Sequence, residues 1–139
     1  MVNNSLPDQA QKTPKHLARH PLGKVPALED GDVTVWDSQA IFVYLARKSD
    51  FGGTYFPTNP VGQAHVTQRL SFAAKEMWDG PATAQAIPKF NRPGVHAAAQ
   101  DLARATIQIV KYRPDGRDWL VGDGATIADI AVYPCIGLI

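Results

Sequence analysis

The chain has 139 residues, 45% hydrophobic and 19% charged, which is the balance of a folded globular protein and excludes a disordered tail. Lys and Arg number 14 against 13 Asp and Glu, a net charge of +1, without the basic excess of a nucleic-acid binder. No apolar run reaches the ~18 residues of a membrane span, residues 1–7 lack the basic cluster and apolar stretch of a signal peptide, and the single Cys135 excludes an internal disulfide or a cysteine-based metal cluster. The expectation is a soluble, cytoplasmic protein with neither nucleic acid nor membrane as partner.

Thr13-Pro14 reads as an N-cap with Pro at the first helical position. It opens a short helix to about His20, stopped by Pro21. His16 and His20 lie four apart on it, a spacing that can hold a metal. No carboxylate or third ligand is near, so they read as surface histidines, with His20 well placed at a helix C-terminus. Leu22-Gly23-Lys24-Val25-Pro26 has no helical period. Ala27-Leu28, then Glu29-Asp30-Gly31-Asp32, then Val33-Thr34-Val35-Trp36 read as strand, tight turn and strand, with Asp30-Gly31 as the turn signal. Asp37-Ser38 caps a second helix, on which Ile41, Tyr44 and Leu45 fall at i, i+3, i+4.

Gly52-Gly53 and Pro57-Thr58-Asn59-Pro60 form a linker, so domains are expected over 1–50 and 60–139. Beyond it the pattern is helical. Val66, Leu70, Ala73, Ala74 and Met77 make one stripe, and Ala99, Leu102, Ala103, Thr106, Ile109 and Val110 a second. Gly80-Pro81 and the stretch from Pro88 to Gly94 read as breaks. Met77 and Trp78 read as core or interface residues, with contact to an apolar small molecule as the alternative. Thr126-Ile127-Ala128-Asp129 is a capping box, its acid one methylene shorter than the usual Glu. The helix that follows, Ile130 to Ile139, is apolar nearly all round and suits the middle of a bundle, with Cys135 as a small core residue. The chain stops inside this helix, so the expectation is that a following segment has been lost.

Three segments together resemble the glutathione transferase family, its cytosolic theta-like and phi-like groups most. They are His20-Pro21-Leu22-Gly23-Lys24-Val25-Pro26-Ala27-Leu28, Trp36-Asp37-Ser38-Gln39-Ala40-Ile41, and Trp119-Leu120-Val121-Gly122-Asp123 with Thr126-Ile127-Ala128-Asp129. The resemblance implies a thioredoxin-like α/β half followed by an all-α helical bundle. It implies that the α/β half is incomplete, its first βα unit missing, with residues 1–12 matching the second strand and its exit loop. It implies too that the family's seventh and eighth helices are missing. A lone two-stranded hairpin is marginal, so exposed apolar faces and self-association are expected.

The family joins the thiolate of glutathione to a small hydrophobic electrophile, as a homodimer, with glutathione as co-substrate and no other cofactor or metal. A free thiol has a pKa of about 8.5, and lowering it by two units takes roughly 2.7 kcal/mol of thiolate stabilisation. The hydroxyl that does this in the family has no counterpart here; Ser5 and Tyr44 lie in other parts of the fold, so no catalytic residue is assigned. Binding residues carry over better. The resemblance implies a cis proline at Pro26, which turns the Val25 backbone outward to pair with the cysteinyl residue. It implies that Asp37 and Ser38, at a helix start, hold the γ-glutamyl end, and that Lys24 and Lys12 reach the glycyl carboxylate. Two readings stay open: a transferase, or a non-catalytic binding module lacking the catalytic hydroxyl.

Overall fold

A two-residue turn, Gly31-Asp32, sets the frame of the first part of the molecule. The computed structural model of the chain describes residues 9–49, 53–111 and 116–136; the expectations for residues 1–8, Ser5 among them, for Gly52 of the linker and for the last three residues lie outside these. The chain divides into two units, residues 1–48 and 49–139.

In the first unit, β1 (Ala27–Asp30) pairs antiparallel with β2 (Val33–Trp36), with Ala27 opposite Trp36 and Asp30 opposite Val33. The strand therefore runs through Asp30, and the turn lies one residue later than Asp30-Gly31 suggested. Gly31 takes φ +60, the left-handed conformation a tight hairpin turn asks for and glycine adopts without cost. Helix α2 (Ser38–Lys48) packs against both strands. It buries Ile41 but leaves Leu45 41% exposed, so the predicted stripe is only partly covered. Tyr44 Oη donates to Asp30 Oδ2 at 3.0 Å, and Lys48 Nζ also pairs with that oxygen. These two contacts tie the turn end of the hairpin to α2 and hold the Asp30 carboxyl below the usual range, Lys48 contributing most.

Helix α1 (Pro14–Leu17) is one turn long, shorter than expected. Thr13 occupies its N-cap position, yet its hydroxyl donates backward to the Ala10 carbonyl at 2.9 Å, into a preceding 3-10 turn over Ala10–Lys12. A hydroxyl used that way leaves the helix N–H groups uncapped by a side chain.

The second unit begins with α3 (Pro60–Ala74), where Asn59 Oδ1 accepts from Gly62 N at 2.7 Å and Pro60 takes the first helical position. Val66, Leu70, Ala73 and Met77 are buried as the stripe requires, whereas Ala74 is exposed. The chain then runs through a π-helical turn, Trp78–Ala82, straight into α4 (Thr83–Phe90). Pro81 and Pro88 thus lie inside helical structure, where the sequence suggested breaks. The wider π turn relieves the clash of the Pro81 ring with the preceding turn. The backbone N–H of Thr83 and its hydroxyl, the latter at 2.8 Å, both reach back to the Trp78 carbonyl. Pro88 sits in the exposed last turn, and the helix ends at Asn91 in the left-handed conformation.

Helix α5 (His96–Lys111) packs on this π turn and on α4. At Gly80 an added Cβ would stand 3.1 Å from Ala103 N and 3.2 Å from Ala103 Cα, so a glycine there lets two backbones meet. Ala99, Ala103, Thr106 and Val110 are buried, while Leu102 and Ile109 are 45% and 52% exposed, correcting the second stripe at two positions.

Helix α6 (Ile127–Ile136) packs on α3. Its capping box forms as expected, with Thr126 N donating to Asp129 Oδ2 at 2.8 Å and Ala128 N to Thr126 Oγ1 at 3.2 Å. One face is buried, through Ile127, Ala128, Ala131 and Val132, while Ile130 and Tyr133 are exposed. Cys135 is half-buried, and burial pushes its thiol pKa up. No helix of the described residues is long and apolar enough to cross a membrane.

Candidate functional site

The pairing of Ala27 with Trp36 brings two distant motifs to one place. Pro26 enters β1 and Asp37 leaves β2 at the same, open end of the hairpin. The loop 22–26 and the start of α2 are therefore neighbours, although neither motif refers to the other in sequence.

On the loop, Lys24, Val25 and Pro26 are exposed, and the Val25–Pro26 peptide is cis, as the resemblance implied. The loop is held from its inner side by two contacts. His16 Nε2 lies 2.7 Å from the Lys24 carbonyl oxygen, and Gly23 N donates to the His20 carbonyl at 2.8 Å. A carbonyl only accepts, so the His16 contact puts the ring hydrogen on Nε2.

Lys12 does not stand free beside the loop. Its Nζ donates to the Leu22 carbonyl at 3.1 Å, and a Cβ on Gly23, which takes φ +57, would meet Lys12 Cδ and Nζ at 2.9 Å. The side chain lies across the glycine turn. An ammonium has three donors, so this contact leaves it capacity for a carboxylate.

At the start of α2 the cap is Asp37 rather than Ser38. Asp37 Oδ1 accepts from Gln39 N at 2.9 Å and from Ala40 N at 3.1 Å, and its carbonyl accepts from Ile41 N at 3.0 Å. The residue holds φ +78, a conformation Asp tolerates better than most. Ser38 is the first residue of the helix and half-buried. One carboxylate oxygen is thus committed to the helix, and Asp37 itself is exposed.

The two histidines overturn the surface reading. Each is only 3% exposed. Their rings stack with centroids 6.2 Å apart, and His20 packs on Trp36 at 5.1 Å. The i, i+4 spacing that suggested a metal also puts both rings on one side, and that side faces the hairpin. Among the described residues no three His, Cys, Asp or Glu side chains gather into a metal-binding group. His16 is the site residue that motif reading missed; its pairing with Lys24 crosses the Pro21 break.

The open end of the hairpin thus presents an exposed backbone segment at Val25, ammonium groups at Lys24 and Lys12, a carboxylate at Asp37 and the positive end of the α2 dipole. This set suits an extended peptide carrying carboxylates at both ends and an amine beside one of them. In the second unit a hollow of about 370 Å³ opens between the start of α3 and the loop before α6, with His65, Arg117 and Asp123 among its lining. Its charges are of both signs and name no ligand class.

Residues 1–47 match the family model for the glutathione S-transferase N-terminal domain. Over 136 residues the chain is 27% identical to glutathione S-transferase D6 of Drosophila melanogaster, covering 97% of the chain and 62% of that protein. It is 32% identical over 130 residues to elongation factor 1-gamma of Carassius auratus, covering 89% of the chain and 28% of that protein. Among solved structures it is similar to a glutathione transferase homologue from Drosophila mojavensis with bound glutathione, at 26% identity and TM-score 0.85, covering 96% of this chain and 62% of that one. The chain therefore spans less than two thirds of the length of these relatives.

Proposed function

We propose that the chain is a member of the glutathione S-transferase family and that its first unit binds glutathione at the open end of the hairpin. The observation that carries this is the strand register, which sets the Lys24-Val25-Pro26 loop beside the start of α2. In this reading the cysteinyl backbone of glutathione pairs with Val25 as an added strand. The γ-glutamyl carboxylate lies at the N-terminus of α2 near Ser38, its ammonium group faces Asp37, and the glycyl carboxylate is met by Lys24 and Lys12. The bound glutathione of the Drosophila mojavensis relative supports it.

The reaction proposed for the whole protein is that of its family: the glutathione thiolate adds to a small hydrophobic electrophile. A homodimeric state and a cytoplasmic location belong to the same proposal. A second reading, a non-catalytic glutathione-binding module, is supported by the likeness to elongation factor 1-gamma, whose name is not that of a transferase.

Calorimetric titration of the chain with S-methylglutathione tests the binding, and conjugation to a chlorodinitrobenzene electrophile separates the two readings. Binding without turnover selects the module. Absence of heat and of any rise in melting temperature at millimolar ligand overturns the proposal.

A further inference from the structure

We infer that His16 is a positioning residue for glutathione, acting through the peptide that joins Lys24 to Val25. The inference rests on the binding reading above.

The Lys24 carbonyl and the Val25 N–H belong to one planar unit, and in a trans peptide the two point in opposite directions. The Lys24 oxygen is taken at 2.7 Å by Nε2 of a side chain that is only 3% exposed. The carbonyl therefore points into the unit, and the Val25 N–H points out of it, on a residue 45% exposed. That N–H is the donor an added strand of ligand needs. Without the bond from His16 the peptide plane loses the contact that orients it, and the donor loses its fixed direction. The donor itself is held in aim, since the His16 ring stacks on His20 and His20 packs on Trp36. Both imidazoles are buried, and the chain of contact runs from Trp36 through the two rings to a single backbone plane.

Three variants separate positioning from mere core packing. His16→Phe keeps a ring of similar shape and loses the donor. His16→Gln places an N–H close to the Nε2 position, and His16→Asn places it nearer Nδ1. Titration with S-methylglutathione is expected to show affinity about tenfold weaker in His16→Phe, the loss of one well-aligned hydrogen bond. His16→Gln is expected within about threefold of the wild type on the same scale, and His16→Asn to follow His16→Phe. If folded His16→Phe binds like wild type, or folded His16→Gln binds no better than His16→Asn, the inference is overturned. Should His16→Phe fail to fold, the Gln and Asn pair decides.

Backbone 15N relaxation without ligand keeps the inference separate from the binding proposal. The Val25 N–H is expected to be rigid in wild type and His16→Gln, and mobile in His16→Phe. If wild type binds no glutathione yet this pattern holds, the binding proposal falls and the orientation of Val25 by His16 stands. If Val25 is equally rigid in all variants, the inference falls whatever the titration gives.

Discussion

Asp129→Asn removes a charge and half of an acceptor pair while changing almost no volume. Asp129 Oδ1 accepts from Leu120 N at 2.9 Å, and Oδ2 accepts from Thr126 N at 2.8 Å and Thr126 Oγ1 at 3.0 Å. Every partner is a donor. Asn carries one acceptor oxygen and one NH2 group, so in either amide orientation a donor must face a donor. The better orientation keeps the oxygen on Thr126 and turns the NH2 toward Leu120 N. It loses one charge-assisted bond, about 1.5–3 kcal/mol, and weakens the other two. The expected loss is about 2–3 kcal/mol, or roughly 6–10 °C in melting temperature for a chain of this size. Thr126→Ala, which deletes the Oγ1 acceptor of Ala128 N, is expected to cost about 1 kcal/mol as an ordinary cap. The double variant is expected to lose less than the sum, because the two side chains share one bond. Urea melts give the free energies, and hydrogen exchange at the Leu120 and Thr126 amides gives the local effect. An Asp129→Asn chain within 0.5 kcal/mol of wild type on the ~1 kcal/mol scale of ordinary point mutants, with both amides equally protected, would refute the reasoning.

Gly80→Ala drives a methyl against the Ala103 backbone and is expected to destabilise by about 1–3 kcal/mol, read by urea melt; a neutral result would mean α5 shifts freely. Met77→Ala empties a fully buried site and is expected to cost about 2–5 kcal/mol in the same assay. Asp37→Asn keeps an oxygen for Gln39 N and Ala40 N and tolerates a positive φ. It is expected to leave the melt within about 0.5 kcal/mol while weakening S-methylglutathione binding in calorimetry. The Asp30 carboxyl, held down by Lys48 and then Tyr44, is expected to titrate by NMR below an ordinary Asp. Its pairing is complete above the usual Asp range and is lost as pH falls through the lowered value. Lys48→Met is expected to move that titration back up.

The parts legible in the sequence are those fixed by chemistry within a few residues. The hairpin, the Asp37 helix start and the box from Thr126 to Asp129 each depend on one turn residue or one short side chain reaching a nearby N–H. The stripes were half legible. A 3.6-residue period says which residues share a face, not how wide the neighbouring surface is, so Ala74, Leu102 and Ile109 lie on the right helices and outside the contact. The prolines misled in the opposite direction. Proline opposes an α-helical turn, but a π turn with Thr83 returning its N–H and hydroxyl to Trp78 carries the chain past Pro81.

The same logic explains what was hidden at the candidate site. The loop before β1 and the start of α2 are each recognisable alone and are joined in the sequence only through the resemblance; the pairing of Ala27 with Trp36 gives the physical reason they form one surface. His16 was invisible for another reason. Imidazole is polar by composition and reads as surface, but a neutral ring has an apolar face and a single N–H, so it can be buried once that N–H meets a carbonyl. Lys24 supplies the carbonyl, and Pro21 between them conceals the partnership, because a break in helical pattern reads as the end of one element's reach. A buried polar side chain paired across such a break is a sign that the second segment's backbone direction matters. Here that backbone is the one proposed to pair with glutathione.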